Sequence, residues 1–465
     1  MGARGGGAQS KGGKQSTNPP RGMRDFLPDQ VRLRRRIIDV IRSVYEAHGF
    51  EPIETPALET LSVLLGKYGD EGDQLLFKVL KRGDKLAKAL AAPHVDPAAV
   101  ADLGLRYDLT VPLARVVAAH RMPLPFKRYQ IQPVWRADRP ARGRYREFYQ
   151  CDVDIVGAPA PLPEVELLSA ACQALERLGF DDFTVQLNHR GLLFGLLEQA
   201  GVPAARRTDA VVVLDKMDKI GKDAVRAELI ERGVEAADAL LGMLSFDDEG
   251  NEVVLAELAG HCRGNEQAES GLAEIEQILD LSGEQTSRRL SVAPCLARGL
   301  SYYTGAIFEI SSPQLGVSLA GGGRYDGLIG MFMGEQQPAC GLSLGLERIV
   351  DIFEQRTETR TPAVDVLVTC WDRDGVGTSL RVAEQLRATG LKVDFYCEPV
   401  KMGRQLKYAS RRGIPAAVIL GPDEVASGRA TVKDLSNFEQ QQVDLDALAA
   451  TVTAITANIG ADATS

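Results

Sequence analysis

Residues 145–156 read YREFYQCDVDIV. Their character alternates with a period of two, which is what an extended strand presents. Tyr145, Glu147, Tyr149, Cys151 and Val153 share one face, and Arg146, Phe148, Gln150, Asp152 and Asp154 share the other. The preceding run is also strand-like. It puts Arg136 and Asp138 on one face, and RPARG (139–143) lies between the two runs as a turn. Residues 126–156 are therefore expected to form a long antiparallel β-hairpin. The second face is not an apolar core face. An aromatic ring, an amide and two carboxylates in a row look like the floor of a polar site. A solvated strand with its charges toward water fits the same pattern.

As a site, the hairpin would suit a substrate with a phosphate and an ammonium group. Guanidinium binds phosphate oxygens bidentately, and carboxylate binds ammonium. Phe148 could stack on a base. Residues 127–146 hold Lys127, Arg128, Arg136, Arg139, Arg142, Arg144 and Arg146 against one acid, Asp138. The whole chain carries a net charge of −9. That excludes a polycation coating nucleic acid by bulk charge, but not a local basic surface.

A second group of polar residues stands near glycines. RGLSYY (298–303) and AGGGRY (320–325) put an arginine, two tyrosines and a glycine run close together in sequence. Glycine lets a backbone approach a ligand, and arginine and tyrosine donate from rigid planar groups. They suggest a pocket for a small polar molecule; tyrosines packed in a core beside a surface loop are the plainer reading. AGGGRYDG is neither the dinucleotide fingerprint in its βαβ context nor a Walker A loop. No hydrolase triad order and no HExxH pattern is present. In LRYDLTVPLAR (105–115), Asp108 and Thr110 fall in a strand-like run before a helical one. Asp108 could receive an amine or cap the helix.

With 465 residues the chain is long enough for two to four domains. Leu33, Ile37, Ile41 and Val44 recur at helical spacing, between Pro28 and a closing Gly49. FEPIETPALE follows as an extended segment. Residues 190–290 are mainly helical in pattern and interrupt two segments that carry the polar groups above, as an insertion would. Strand signals return over 305–321, and CGLSLGLERIVDIF turns into a helix that presents Arg348. A polar linker, EQRTETRTP, ends near 362. Beyond it VDVLVTC, VDFYC and AAVILG alternate with helical segments near 376–389 and 403–412, implying a small, mostly parallel sheet. The seven cysteines are odd in number and form no CxxC pair. That argues against a disulfide scaffold or structural zinc site and for a reducing compartment. No apolar run reaches the roughly 18–20 residues of a membrane span. The first twenty residues lack a signal peptide's apolar stretch and read as a disordered tail.

The order of these segments resembles the histidyl-tRNA synthetase family, among the class II aminoacyl-tRNA synthetases, from about residue 21 to about residue 460. The first helix with FEPIETPALE looks like class II motif 1, which builds the family's dimer interface. VWRADRPARGRYREFYQ looks like motif 2, and CGLSLGLERI like motif 3. LARGLSYYTGAIFE and AGGGRYDGL are similar to the two signatures peculiar to the histidine enzyme. The spelling of RGMRDFLPDQ and LRYDLTVPLAR looks more like the eukaryotic-type branch than the common bacterial one.

The resemblance implies an α+β multidomain fold: an antiparallel six-stranded catalytic sheet with flanking helices, a mainly helical insertion, and a C-terminal α/β anticodon-binding domain. The expected division is a tail over 1–20, a catalytic core over 21–185 and 290–355, an insertion over 186–289, a linker over 356–362, and the anticodon-binding domain over 363–465. It implies a cytoplasmic homodimer that joins L-histidine to tRNA(His) through a histidyl-adenylate, using ATP and Mg²⁺. By motif position, Arg136 holds the α-phosphate. Phe148 lies under adenine, and Arg348 lies over its other face near the γ-phosphate. Arg144 and Asp138 complete the nucleotide contacts. Gln150, Asp154, Asp108, Leu109 and Thr110 bind histidine, with Asp154 on its ammonium group. Arg298 stands by the carboxylate and α-phosphate, and Tyr302 and Tyr303 close around the imidazole. A pocket whose polar groups would otherwise go unpaired rejects wrong side chains by ~10⁴–10⁵. Metal ligands are not assigned.

Two positions depart from the family pattern. Ser301 stands where aspartate is usual, and Asp138 where motif 2 usually has glutamate. Arg404, Lys407 and Arg411 lie at helical spacing and could face an anticodon stem or only solvent. The alternatives are a synthetase-like regulatory subunit of histidine biosynthesis, which binds histidine without charging tRNA; another class II synthetase, for proline, threonine or glycine; and a tRNA-binding scaffold without catalysis.

Overall fold

The hairpin is present, as the second and third strands of an eight-stranded sheet. The computed structural model describes residues 16–65, 75–94, 97–141, 143–244, 246, 250–297, 302–312, 316–356 and 362–462. Most of the expected N-terminal tail, Arg142, the stretch Arg298–Ser301 and most of the expected linker lie outside the described residues. The chain divides into two units, Met1–Ile352 and Phe353–Ser465.

In the first unit the strands are β1 (Glu51–Pro52), β2 (Leu58–Thr60), β3 (Lys78–Leu80), β4 (Ala101–Leu105), β5 (Phe126–Trp135) and β6 (Glu147–Val156). They continue with β7 (Thr184–His189), β8 (Leu290–Val292), β9 (Ala306–Ser312), β10 (Val317–Arg324) and β11 (Ala339–Gly345). The main sheet has eight strands in the order β1-β5-β6-β11-β10-β9-β7-β8. Its six inner strands are antiparallel throughout, as expected. A short parallel strand is added at each edge, β1 beside β5 and β8 beside β7. A small sheet, β2-β4-β3, leads through β4 into the segment that carries Asp108.

The hairpin ladder ends sooner than the sequence suggests. β5 stops at Trp135, so Arg136 and Asp138 sit in the connection and not on the strand. Arg136 N still donates to Arg146 O at 2.9 Å, which keeps the base of the connection closed. Asp108 is likewise past the end of β4, and the following helix begins at Thr110.

Strand pairing stacks residues of one character in rows across the sheet. One face carries Ile131, Cys151, Leu344, Ala320, Ile310 and Val185 in register. Each such aliphatic side chain contributes roughly 1.5–3 kcal/mol when fully buried. The helix Pro28–Ala47 lies over this apolar face, where its Tyr45 hydroxyl donates to Cys151 O at 3.2 Å. The helix buries Ile37, Ile41 and Val44 as the spacing predicts, but Leu33 is only half-buried and Arg34 takes a buried place instead. The helix Leu162–Arg177 packs against β6 and β11. Between β7 and β8 the chain is helical, from Arg190–Gln199 to Glu284–Ser287.

The second unit holds β12 (Val366–Val368), β13 (Val393–Phe395), β14 (Ala416–Ile419), β15 (Arg429–Asp434) and β16 (Gln440–Asp444), ordered β13-β12-β14-β15-β16. The first three are parallel, but β15 and β16 are added antiparallel, so the sheet is mixed and not mostly parallel. β16 is an exposed edge strand of QQQVD, with too little apolar alternation to announce itself. Arg404, Lys407 and Arg411 are exposed on the helix Met402–Arg411, opposite its buried Gln405 and Ala409.

Candidate active site

The other face of the main sheet is polar, and two rows define it. The first runs Gln130, Asp152, Ser343, Gly321, Glu309 and Gln186; the second runs Arg128, Asp154, Gly341, Gly323, Ile307 and Asn188. Directly paired residues point to the same side of a sheet, so β6 supplies the acids and β10 and β11 the bare floor. A Cβ at Gly321 would meet only Phe308 O, at 3.8 Å, so the floor lies open there. A Cβ at Gly323 would instead meet Tyr303 Cδ1 at 2.9 Å: this glycine is where a tyrosine ring rests on the strand.

The acids are buried with incomplete partners. Asp108, Asp152 and Asp154 are each 3% exposed or less. Asp108 Oδ1 accepts from Val111 N at 3.2 Å and so caps the helix, while Oδ2 has no hydrogen-bond partner. One oxygen therefore does a structural task and the other is buried without a hydrogen-bond partner. Burial lifts the Asp108 carboxyl to about 6, against the pull of the Val111 amide, Arg136 and Arg128. Burial also raises Asp152 and Asp154, opposed in each case by Arg128. Asp154 Oδ2 lies 2.8 Å from Arg128 Nη2 without an aligned hydrogen bond, and its Oδ1 accepts a short hydrogen bond from the Tyr325 hydroxyl. Arg128 Nη2 also reaches Leu109 O at 3.5 Å, joining the floor to the Asp108–Thr110 segment.

From Asp154 an aromatic wall extends outward. Tyr325 packs edge-on against Tyr302 at 5.8 Å between ring centroids, and Tyr302 against Tyr303 at 4.7 Å. Burial raises the Tyr303 hydroxyl well above its ordinary value, so it stays protonated and able to donate. Gln150 donates from Nε2 to Ser343 Oγ at 3.4 Å, and its Oε1 is buried without a partner. Thr110 is buried at the start of its helix.

Basic groups stand at the other end. Arg136 Nε donates to Tyr107 O at 3.0 Å, next to Asp108, and its guanidinium lies 5.2 Å from the Phe148 ring centre. Gly345 pairs with Gln150, and a Cβ there would come 3.6 Å from Arg348 Cδ. The Arg348 stem therefore runs beside the floor, and its Nη1 donates a short hydrogen bond to Ser318 O. The residue before it is anchored separately: Glu347 accepts from Arg34 at 2.9 Å and from Tyr149 N at 3.0 Å.

The structure thus brings Asp108, Leu109, Thr110, Asp154, Tyr302 and Tyr303 into one connected group, with Arg136 and Phe148 joined to it through Tyr107. Gln150 and Arg348 adjoin it along the sheet. Arg144 and Asp138 pair with one another at 2.6 Å on the exposed connection, apart from that group. Arg298 and Ser301 lie outside the described residues. Sequence reasoning left Tyr325, Gly341 and Glu347 unassigned, and counted Arg128 only as one cation among several. Arg128 had a signal: KRYQIQ alternates as strictly as its partner strand.

Comparison with known proteins gives one family. The family model described as "Histidyl-tRNA synthetase" matches residues 22–349, and that described as "Anticodon binding domain" matches residues 365–455. The chain is 42% identical to the histidine–tRNA ligase of Porphyromonas gingivalis, covering 93% of this chain and 98% of the relative. It is 41% identical to that of Gloeobacter violaceus, covering 91% and 96%. Its fold is similar to the crystal structure of histidyl-tRNA synthetase from a Nostoc species, with TM-score 0.78, 30% identity, and 95% and 99% of the two chains covered. It is also similar in fold to an ATP phosphoribosyltransferase regulatory subunit/histidyl-tRNA synthetase from Bacillus halodurans, with TM-score 0.71 and 24% identity over 88% and 100%.

Proposed function

Because the chain belongs to the histidyl-tRNA synthetase family, we propose how its own residues divide the work of that reaction. The protein attaches L-histidine to tRNA(His), using ATP. A carboxylate oxygen of histidine attacks the α-phosphorus, the bond to the bridging oxygen breaks, and pyrophosphate leaves. A terminal ribose hydroxyl of the tRNA then attacks the activated carbonyl, and AMP leaves.

One observation carries the assignment of the pocket: buried carboxylates with unpartnered or poorly aligned oxygens stand beside an aromatic wall of hydroxyls, a short way from Arg136. Asp108 and Asp154 take the ammonium group, with Leu109, Thr110 and Gln150 lining the amino-acid side. Tyr302 and Tyr303 close on the imidazole. Arg136 and Arg298 neutralise charge developing at the α-phosphate, where fixed donors act without reorganising. Phe148 and Arg348 sandwich adenine, and Arg144 and Asp138 fold in over the nucleotide. Among the described residues no three His, Cys, Asp or Glu side chains are grouped to hold a metal. Mg²⁺ would then arrive on the ATP phosphates, which suits an ion that binds through few carboxylates and substrate oxygens. Bound there, the ion would neutralise phosphate charge.

Residues 21–185 and 290–355 form the catalytic core in this reading, 186–289 the insertion except that the core strand β7 runs on to His189, and 363–465 the anticodon-binding domain, with Arg404, Lys407 and Arg411 toward the tRNA backbone. The active form is a homodimer through the motif 1 region, in the cytoplasm. No described helix is long and apolar enough to cross a membrane. The eukaryotic-type spelling we keep as a trait of RGMRDFLPDQ and LRYDLTVPLAR alone, since the relatives quoted are bacterial.

The test is ATP–pyrophosphate exchange with each amino acid in turn, followed by charging of purified tRNA. Exchange that requires histidine, and charging of tRNA(His), are expected. Exchange with another amino acid would overturn the pocket assignment. Histidine binding with no exchange would favour the regulatory-subunit reading, for which the Bacillus halodurans likeness supports the fold alone.

A further inference from the structure

Arg128 is fully buried, yet it has no place in the chemistry described above. It stands directly opposite Asp154 on the hairpin, with Gln130 opposite Asp152 one step along the same face. Its Nη2 lies 2.8 Å from Asp154 Oδ2, 3.9 Å from Asp152 Oδ2 and 3.5 Å from Leu109 O, and its Nη1 is 3.4 Å from Gln130 Oε1. Its Nε has no hydrogen-bond partner. A guanidinium that only stabilised the fold would be expected to satisfy its donors with well-aligned acceptors. Arg106, equally buried, does so: it donates to Pro133 O, Thr55 O, Thr55 Oγ1, Pro56 O and Gln132 Oε1.

We infer that Arg128 is a positioning residue for the amino-acid pocket, the internal counter-ion that keeps Asp154 ionised and aimed at the ligand while Asp152 competes for the same charge. Two buried carboxylates on adjacent rows cannot both ionise without a cation between them. Arg128 is placed to supply it from the neighbouring strand on the same face, at Asp154 Oδ2, while Asp154 Oδ1 takes the Tyr325 hydroxyl and the carboxylate meets the substrate ammonium. Through Leu109 O the same guanidinium sets the height of the Asp108–Thr110 segment over the floor. Asp152 does not touch the ligand in this scheme. It sets how much of the Arg128 charge Asp154 receives.

The inference rests on the histidine-binding role proposed for Asp154, and the full-length protein distinguishes the two. Histidine-dependent ATP–pyrophosphate exchange is measured for the wild type, Arg128→Met, Arg128→Lys, Asp152→Asn and Arg128→Met/Asp152→Asn. Arg128→Met should raise KM for histidine at least tenfold and leave KM for ATP within twofold. Adding Asp152→Asn should recover at least threefold of that loss, because it removes the carboxylate that now competes with Asp154. Arg128→Lys should retain more affinity than Arg128→Met. Should Arg128→Met fail to fold, Arg128→Lys with and without Asp152→Asn carries the same comparison. An unchanged KM for histidine, equal losses for both substrates, or no rescue by Asp152→Asn overturns the inference. A wild type that exchanges with a different amino acid overturns the underlying pocket assignment instead.

Discussion

A Cβ placed on Gly341 would lie 1.9 Å from Asp154 Oδ1. The two residues are direct cross-strand partners, and Tyr325 packs over the same spot, 3.3 Å from that Cβ position. Glycine is required here by space and not by backbone conformation. Any side chain would drive the Asp154 carboxylate off the Tyr325 hydroxyl and out of its contact with Arg128. Gly341→Ala should therefore raise KM for histidine by about 10–100-fold, as displacement of a positioned binding group does, with KM for ATP little changed. Exchange kinetics against each substrate check this. Equal loss for both substrates would mean that the sheet itself has shifted.

Asp108 gives a proton-linked prediction. Its carboxyl is lifted from the ordinary 3.8 to about 6 by burial. A raised carboxylate pKa favours the neutral form in the fold, so its stabilising contribution is present below the unfolded value and lost as pH rises from about 4 to about 6. Asp108→Asn should accordingly stabilise the free protein at pH 7.5 by on the order of 1–3 kcal/mol, seen as a higher unfolding temperature. It should also weaken histidine binding. In the wild type at pH 6, the incoming ammonium pulls the carboxyl into its charged form, so binding releases protons. Calorimetry in two buffers of different ionisation enthalpy reads that release, and the difference from Asp108→Asn isolates it from the ligand's own imidazole. Identical release in both proteins would remove Asp108 from the ammonium site.

Much of this arrangement was legible in the hairpin. Period two assigns the faces of 145–156, and a turn centred on residue 141 puts position 128 opposite 154 and 130 opposite 152, as found. Counting Arg128 among surface cations missed that consequence. Three things were not legible. β5 ends at Trp135, where Trp135 N donates to Arg106 O and Arg136 Nε to Tyr107 O, both in the loop that follows β4 and remote in sequence. Tyr325 looked like the end of a glycine run, and its role depends on a contact with Asp154, 171 positions away. Arg34 sits at a helical position that periodicity marks as half-polar, and only the distant Glu347 explains why it is buried. Local pattern sets the face of a residue, and tertiary pairing decides what that face meets.

The Arg136–Phe148 pair predicts a split of the opposite kind. The guanidinium lies 5.2 Å from the ring centre and is held by Tyr107 O, so the ring helps fix the cation proposed above for phosphate. Phe148→Leu keeps the bulk and loses the π-face. It should raise KM for ATP by roughly 5–20-fold, in line with about 1–2 kcal/mol for stacking and cation–π contact together, while KM for histidine changes less than twofold. Steady-state exchange at saturating histidine measures it. A loss confined to histidine would place Phe148 in the amino-acid pocket.

The ion pair between Arg34 and Glu347 makes the most severe prediction for stability. Both side chains are buried, 2.9 Å apart, and Glu347 also accepts from Tyr149 N, so one carboxylate ties the first helix, β6 and the helix Leu346–Gln355 together. Arg34 is further wedged over the Phe26 ring at 4.1 Å. Arg34→Met keeps most of that packing but strands Glu347 as an unpaired buried charge, which costs roughly 3–5 kcal/mol. Glu347→Gln in the Arg34→Met background removes the stranded charge, so the double variant should unfold at a higher temperature than Arg34→Met alone. Because Arg348 is the next residue, the single variant should also lose ATP affinity, and the double variant should regain part of it. Thermal unfolding and ATP-dependent exchange on the four proteins test both halves. Strictly additive unfolding temperatures would mean that the two side chains are not energetically coupled. Rescue of stability without any rescue of ATP affinity would mean that the pair holds the fold but does not set the position of Arg348.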